Sequence, residues 1–216
     1  MTFHNGSWAL LESRDFSKTV DKAQSPIRPD LPASVREWYS DPRLLTILKV
    51  FSNHDRALDP AEFVLRQTRD VKSMCFLVEN QNVCDWSFAV DQGDDPPVFV
   101  TYAESGPEPT PCCKSFSQFV YTRIFDNGHA LGHECSLEEV QPSVGAAVRQ
   151  YLQATLQTEP VTTGWPSPET LRFSCPDGRL IIWNGERQSD WLMTSPTSAG
   201  LALMQRALLP LAKGDA

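Results

Sequence analysis

The sequence has no long apolar run and no recognisable export signal. No stretch of its 216 residues approaches the roughly 20 apolar residues that a membrane-spanning helix needs. Residues 1–15 have neither the basic start nor the apolar core of a secretory signal. We therefore expect a cytoplasmic protein. The hydrophobic content of 41% and the charged content of 21% are ordinary for a globular chain.

Motifs of the common catalytic classes are also missing. The sequence contains no P-loop, no G-x-G-x-x-G and no G-x-S-x-G. Its nearest approach to a metal motif joins His129, His133 and Cys135, since two histidines four residues apart can share a helix face. The acid follows the second histidine, and Gly128 and Gly132 weaken the helix that the pair needs. We interpret this segment as a polar loop and predict no metal, no cofactor and no enzymatic activity.

Disulfide bonds are not expected, although the number of cysteines is even. In a chain of this length without an export signal, thiols stay reduced. Three of the cysteines fall in predicted strands, where a free thiol packs as a small core residue. We predict an inert role for all six, which are Cys75, Cys84, Cys112, Cys113, Cys135 and Cys175.

Basic residues are missing from one long segment. The chain has a net charge of −8, and residues 73–113 carry seven acidic side chains and no basic one. The seven are Glu79, Asp85, Asp91, Asp94, Asp95, Glu104 and Glu108. Such a field repels nucleic acid and anionic membranes and attracts basic surfaces. We predict that these carboxylates bind a basic protein partner, and the alternative is a merely solvated surface.

The same segment holds the strongest strand signals in the chain. Cys75–Glu79, Val83–Val90 and Val98–Tyr102 are predicted strands, and the short connections between them predict an antiparallel meander. Within the second strand, Trp86 and Phe88 share one face, as the period of two in a half-buried strand requires.

Helical signals lie before and after this meander. Three predicted helices precede it, at Pro32, at Asp41-Pro42 and at Asp59-Pro60 with Phe63 as anchor, and a further short helix is possible at Leu10–Lys22. A proline-broken loop, Ser105–Cys113, follows it. The later predicted elements are a capping box at Ser115–Gln118, a possible cap at Ser136–Glu139, a helix at Val144–Leu156, a hairpin at Thr170–Asn184, a strand at Asp190–Thr194 and a last helix near Ser198. Helices around an antiparallel sheet indicate a single α+β domain.

One pattern resembles a known family. The tripeptide "ENQ" at Glu79, then Trp86 and then "DDPPV" before the strand at Val98 resembles the signature of the SUKH superfamily, and Leu31 to Tyr39 resembles its opening helix. In that family a glycine usually follows the tripeptide, whereas this chain has Asn82, which also tolerates the left-handed conformation. The resemblance implies a SUKH-like domain at residues 28–212, an extension at residues 1–27 and a tail at residues 213–216.

The resemblance also implies a class of function. The superfamily includes fungal cell-wall assembly regulators and bacterial immunity proteins that bind and neutralise toxin domains, many of them basic nucleases. We therefore expect a non-enzymatic bacterial immunity protein whose acidic surface binds a basic toxin domain encoded nearby. Two other functions stay open. One is an intracellular regulatory or scaffold protein like the fungal relatives, and the other is an enzyme that uses His129, His133 and Cys135.

Overall fold

The chain divides into two units, with the boundary after Asn127. The computed structural model describes residues 25–50, 55–106, 108–127 and 133–212, with side chains except at 47–50 and 209–212. Each unit combines helices with an antiparallel sheet of six strands, so the α+β class is confirmed. The helix predicted at Leu10–Lys22 lies outside the described residues.

The first unit contains the predicted meander. Its helices are α1 (Ala33–Ser40), α2 (Pro42–Val50) and α3 (Phe116–Asp126). Its strands are β1 (Arg56–Ala57), β2 (Val64–Gln67), β3 (Lys72–Val78), β4 (Cys84–Ala89), β5 (Val98–Tyr102) and β6 (Thr110–Cys113). Strands β3 to β6 pair in chain order, and β1 and β2 both pair with the outer edge of β3. The meander of β3, β4 and β5 is thus confirmed.

Two predictions for the first unit were wrong. Asp59-Pro60 opens only a 3-10 turn, Pro60–Glu62, although its capping box is complete. The turn stops because Val64–Gln67 is drawn into pairing with β3, while Phe63 still anchors the segment by its ring contacts. The loop predicted at Ser105–Cys113 ends in strand β6, where Pro111 is tolerated because the strand lies at the edge of the sheet.

An aromatic core joins the helices to the sheet. Phe76 lies at a bulge in β3 and contacts the rings of Trp38, Phe88, Phe116 and Phe119 at centroid distances of 5.1 to 5.8 Å. All five rings are buried. Because edge-to-face and tilted ring pairs add to the gain from burial, this cluster fixes how α1 and α3 lie on the sheet.

The inward face of β4 is as predicted, but its other face is not half-exposed. Trp86 and Phe88 are fully buried, with no exposed surface. Ser87 and Ala89, which point the opposite way, are also buried, at 0% and 1% exposure. Both side chains are small, as a closely covered face of a sheet requires. The alternation of apolar and polar residues had instead predicted that this face is half-exposed.

The second unit packs two helices on one face of its sheet. Its elements are β7 (Cys135–Pro142), α4 (Ala146–Thr155), β8 (Gln157–Thr158), β9 (Thr162–Thr163), β10 (Glu169–Cys175), β11 (Gly178–Asn184), β12 (Gln188–Ser195) and α5 (Ser198–Ala212). The strand order is β7-β12-β11-β10, and β8 and β9 both pair with β10. The helices contribute Leu152, Met204 and Leu208 to a core that includes Leu171 and Phe173.

One prediction for the second unit was wrong. Ser136–Glu139 is part of β7 and does not cap a helix, because β7 pairs with β12 along its whole length. That long-range pairing outweighs the local capping pattern. The predicted hairpin is confirmed as β10 and β11 around Pro176 and Asp177, and the predicted helices at Val144–Leu156 and near Ser198 are confirmed as α4 and α5.

Trp86→Ala should destabilise the first unit by about 3–5 kcal/mol, because it leaves a large cavity in the core. Trp86→Phe is the matched control. It keeps most of the apolar volume and removes an indole N–H for which the described residues supply no hydrogen-bond partner, so it should cost clearly less. Urea unfolding measures both variants. Equal losses for the two would show that the side chain does not pack as described.

Gly200→Ala should destabilise the second unit, although alanine normally stabilises a helix by about 1 kcal/mol over glycine. A Cβ at Gly200 would overlap the Ser195 hydroxyl and lie 2.7 Å from the Asp177 carbonyl oxygen. The hairpin tip would have to move, at a cost of about 1–3 kcal/mol. Thermal unfolding tests this, and a variant more stable than the wild type would contradict the close packing.

Candidate functional site

Glu79 belongs to the structure of the β3–β4 turn. Its carboxylate accepts hydrogen bonds from the backbone N–H groups of Gln81, at 2.7 Å, and Val83, at 3.2 Å, and the residue is only 6% exposed. Asn82 has a φ of 60°, the left-handed conformation expected from the sequence. The carboxylate of Glu79 is thus used within the turn, which leaves little of it accessible to a partner.

Two more of the seven predicted carboxylates are also engaged within the fold. Asp85 forms an ion pair with Arg66 across the sheet, and its side chain is only 17% exposed. Asp95 accepts hydrogen bonds from the backbone N–H and the hydroxyl of Ser117, at 2.8 and 2.5 Å. Ser117 lies in the first turn of α3, where the helix dipole also favours a carboxylate. These two side chains hold elements together and are poorly placed to contact a partner.

The other four predicted carboxylates are exposed. Asp91 and Asp94 lie in the β4–β5 turn, and Glu104 and Glu108 lie in the β5–β6 loop. The side chain of Asp91 is 67% exposed and lies 3.6 Å from the ammonium of Lys72, so its charge is partly neutralised. In the described part of the chain, no ion pair is formed by Asp94, Glu104 or Glu108.

These exposed carboxylates form two groups and not one surface. The β4–β5 turn precedes β5 and the β5–β6 loop follows it, so the two groups lie at opposite ends of this strand. A strand of five residues is roughly 16 Å long. That length exceeds the screening distance of about 8–10 Å in physiological salt. A partner therefore meets two acidic loops, which we call the turn group (Asp91, Asp94) and the loop group (Glu104, Glu108).

A buried ionic cluster lies beneath the β3–β4 turn. The guanidinium of Arg123, on α3, lies 4.3 Å from the ring centre of Trp86 and 3.3 Å from the carboxylate of Asp55. Burial raises the pKa of Asp55, while Arg123 and a backbone N–H from Asn80 oppose that rise. Burial, with a smaller contribution from nearby Glu79, raises the pKa of the Cys84 thiol to about 12, so this thiol is inert.

No pattern in the sequence had indicated that Asp55 and Arg123 lie together. One signal was available for Arg123, because it follows Phe119 by four residues and therefore shares a face of the predicted helix. Asp55 lies 68 residues away from Arg123 in the chain, and no local pattern connects them. The cluster has an obvious structural use, since it attaches α3 to the sheet, and we assign it no chemistry.

The structure does not assemble the candidate metal ligands within its described residues. His129 lies outside them. His133 lies just before β7, and its Nδ1 is 2.8 Å from the Thr194 hydroxyl. Cys135 is the first residue of β7, and its Sγ is 3.5 Å from the Ser198 hydroxyl. Across residues 25–50, 55–106, 108–127 and 133–212, no three histidine, cysteine or acidic side chains are grouped as a metal site requires.

The cysteines and the helices add two findings. All six cysteines are free thiols, and Cys75, Cys84, Cys112 and Cys113 are buried. Burial raises the pKa of Cys75 to about 12 as well. Of the helices in the described ranges, none combines the length and the hydrophobicity needed to cross a bilayer.

Comparison with known proteins identifies no relative. No protein-family model matches the chain, and searches of curated proteins and of solved structures also return no match.

The pH dependence of stability should differ in sign between Asp55 and Glu169. Folding raises the pKa of Asp55 above its ordinary 3.8, so ionised Asp55 costs stability at neutral pH, and that cost is relieved as the pH falls towards 3.8. Folding lowers the pKa of Glu169 below its ordinary 4.5, mainly through the hydrogen bonds from Arg149, so its stabilisation is present above pH 4.5 and is lost below it.

Urea unfolding between pH 7 and pH 3 tests this with two matched variants, Asp55→Asn and Glu169→Gln. As the pH falls, the wild type should gain stability relative to Asp55→Asn. Below about pH 4.5, the wild type should lose the stability that it has over Glu169→Gln at neutral pH. Parallel curves for the wild type and Asp55→Asn would contradict the burial of an ionised Asp55.

Proposed function

We propose that this chain is a non-enzymatic protein-binding module of SUKH type whose task is immunity. In this proposal it binds a basic toxin domain, encoded by a neighbouring gene, inside the cell that produces both. Binding would cover the active site of the toxin, or the surface that its substrate must cross. No cofactor takes part, and neither nucleic acid nor a membrane is a partner.

The observation that supports this proposal most is the placement of the exposed carboxylates. The turn group and the loop group lie at the two ends of β5 in a segment without basic residues. Long-range attraction from such groups raises the rate of encounter with a basic protein even before contact. Of the seven acidic residues in this segment, the proposal therefore assigns binding to the four in these two groups.

Hydrogen bonds to the helices anchor the β4–β5 turn, and a hydrogen bond to the sheet anchors the start of the β5–β6 loop. In the β4–β5 turn, the Asp95 carboxylate accepts a hydrogen bond from the backbone N–H of Ser117 in α3. The Asp94 carbonyl of the same turn accepts a hydrogen bond of 2.9 Å from the Ser34 N–H at the start of α1. The β5–β6 loop begins at Ala103, whose N–H donates to the Val83 carbonyl at 2.9 Å. A turn fixed in this way loses less conformational entropy on binding, which favours a tight complex.

Two alternatives predict different observations. A regulatory or scaffold protein, like the fungal relatives of the resembled family, would have no toxin gene beside its own. An enzyme that uses His129, His133 and Cys135 would carry about one zinc ion per chain, by analogy with other sites of these ligands. Elemental analysis of the wild type and of His133→Ala distinguishes the enzyme from both binding functions.

Salt should slow association with the neighbouring gene product and change dissociation less. We expect the double variants Asp91→Asn/Asp94→Asn and Glu104→Gln/Glu108→Gln to lower the association rate and to flatten its salt dependence. Together the four substitutions should cost about tenfold or more at low salt. Stopped-flow mixing over a range of salt concentrations measures these rates.

Glu186→Gln/Asp190→Asn is the matched control, because it makes the same change of charge at exposed positions of the second unit. Its association rate should fall much less. Asp95 is left intact in every variant, since its side chain holds the turn on α3. If the control slows association as much as the test variants do, the association rate depends on the net charge of the chain and not on the two acidic loops.

A further inference from the structure

Strand β2 has one free edge. Within the described part of the chain it pairs with β3 alone. The Thr68 N–H donates to the Val71 carbonyl at 2.9 Å, which makes these two residues a hydrogen-bonded pair at the end of the hairpin. Because such pairs alternate along an antiparallel ladder, Arg66 and Val64 also face β3. The N–H and C=O groups of Leu65 and Gln67 therefore point away from the sheet.

The side chains of this edge are unusually apolar for an exposed strand. Val64 and Leu65 are 51% and 54% exposed, and they are adjacent in the chain, so each face of the edge carries one of them. The strand contains neither proline nor an acidic residue. Natural proteins usually block such edges, because free backbone groups beside apolar side chains invite another strand to pair.

The other edges of the two sheets carry features that hinder pairing. Strand β6 contains Pro111, which has no N–H to donate. Strand β7 has Glu138 and Glu139 at its centre and ends at Pro142. Strands β1, β8 and β9 have only two residues each, which is too short for a stable ladder. Among the described strands, β2 is thus the edge left open to pairing.

The charge beside β2 indicates what kind of strand fits. Residues 64–72 carry three basic side chains and one acidic one, whereas residues 73–113 carry no basic one. Arg66 and Lys72 are paired with Asp85 and Asp91. Arg69, next to Asp70 at the exposed hairpin tip, forms no ion pair within the described residues. A carboxylate on an added strand can pair with it.

We propose that β2 receives an extended segment of a partner protein as an additional antiparallel strand. The segment carries apolar residues opposite Val64 and Leu65 and an Asp or Glu near Arg69. The outward backbone groups of Leu65 and Gln67 supply the hydrogen bonds, and the apolar side chains and Arg69 supply the selectivity. This inference does not depend on the function proposed above, since it concerns a different surface and a partner segment of opposite charge.

The test uses the full chain and a synthetic peptide, acetyl-Asp-Glu-Val-Thr-Val-Val-Thr-Ser-amide, whose adjacent fifth and sixth residues lie opposite Leu65 and Val64. An antiparallel pairing places its two carboxylates beside Arg69. At millimolar peptide, hydrogen exchange at the Leu65 and Gln67 amides should slow by about tenfold or more, the effect of a hydrogen bond worth 1.4 kcal/mol. Unchanged exchange at both amides would overturn the proposal.

Two controls separate strand addition from other binding. The same peptide with both acids replaced by lysine should bind more weakly, and a version N-methylated along its pairing edge should not bind. Leu65→Pro removes an outward N–H that β3 does not use, so the fold should survive while binding is lost. Equal binding to this variant, or to the N-methylated peptide, would refute the proposal.

Sedimentation of the chain without peptide tests whether a second copy of the chain occupies this edge. A monomer with fast exchange at Leu65 and Gln67 is the expected result. A dimer in which these two amides are already protected would assign the edge to a second copy of the chain and would overturn the proposal. If Leu65→Pro does not fold, the N-methylated peptide still decides between the two outcomes.

Discussion

The packing of aromatic rings around Phe76 is the constraint on which the first unit depends. The bulge in β3 directs this ring towards α1 and α3, where it contacts Trp38 and Phe116 at the same time. Two helices that are distant in sequence are thereby fixed on one face of the meander. Arg123 extends the cluster, because its guanidinium lies over Trp86 while it pairs with Asp55. This core therefore also sets the positions of the turns and loops at the ends of β3, β4 and β5.

That rigid core explains why carboxylates of one segment have different roles. Where a turn must be held on the core, a carboxylate accepts backbone or hydroxyl hydrogen bonds, as Glu79 and Asp95 do. Where a loop extends beyond the sheet, as at Glu104, the charge stays in solvent. The same acidic segment therefore supplies both structural hydrogen bonds and surface charge. The proposed binding function uses only the carboxylates that form no structural hydrogen bond.

Local patterns predicted a large part of the fold. Period-two alternation located β4, proline after aspartate located α2, and Asn82 indicated a left-handed turn, because each signal depends on nearby residues only. Signals that compete with distant pairing failed. A capping pattern at Ser136 became strand β7, and the pairing of Asp55 with Arg123 had no local sign. The acidic candidates were predicted from charge alone, which cannot tell a buried carboxylate from an exposed one.

The most direct test of the binding proposal is the footprint of a partner on the chain. Hydrogen exchange, measured with and without the product of the neighbouring gene, reports protection segment by segment. We expect slower exchange in the β4–β5 turn and the β5–β6 loop, with little change at residues 133–212. Protection confined to residues 133–212, with both acidic loops unaffected, would contradict it.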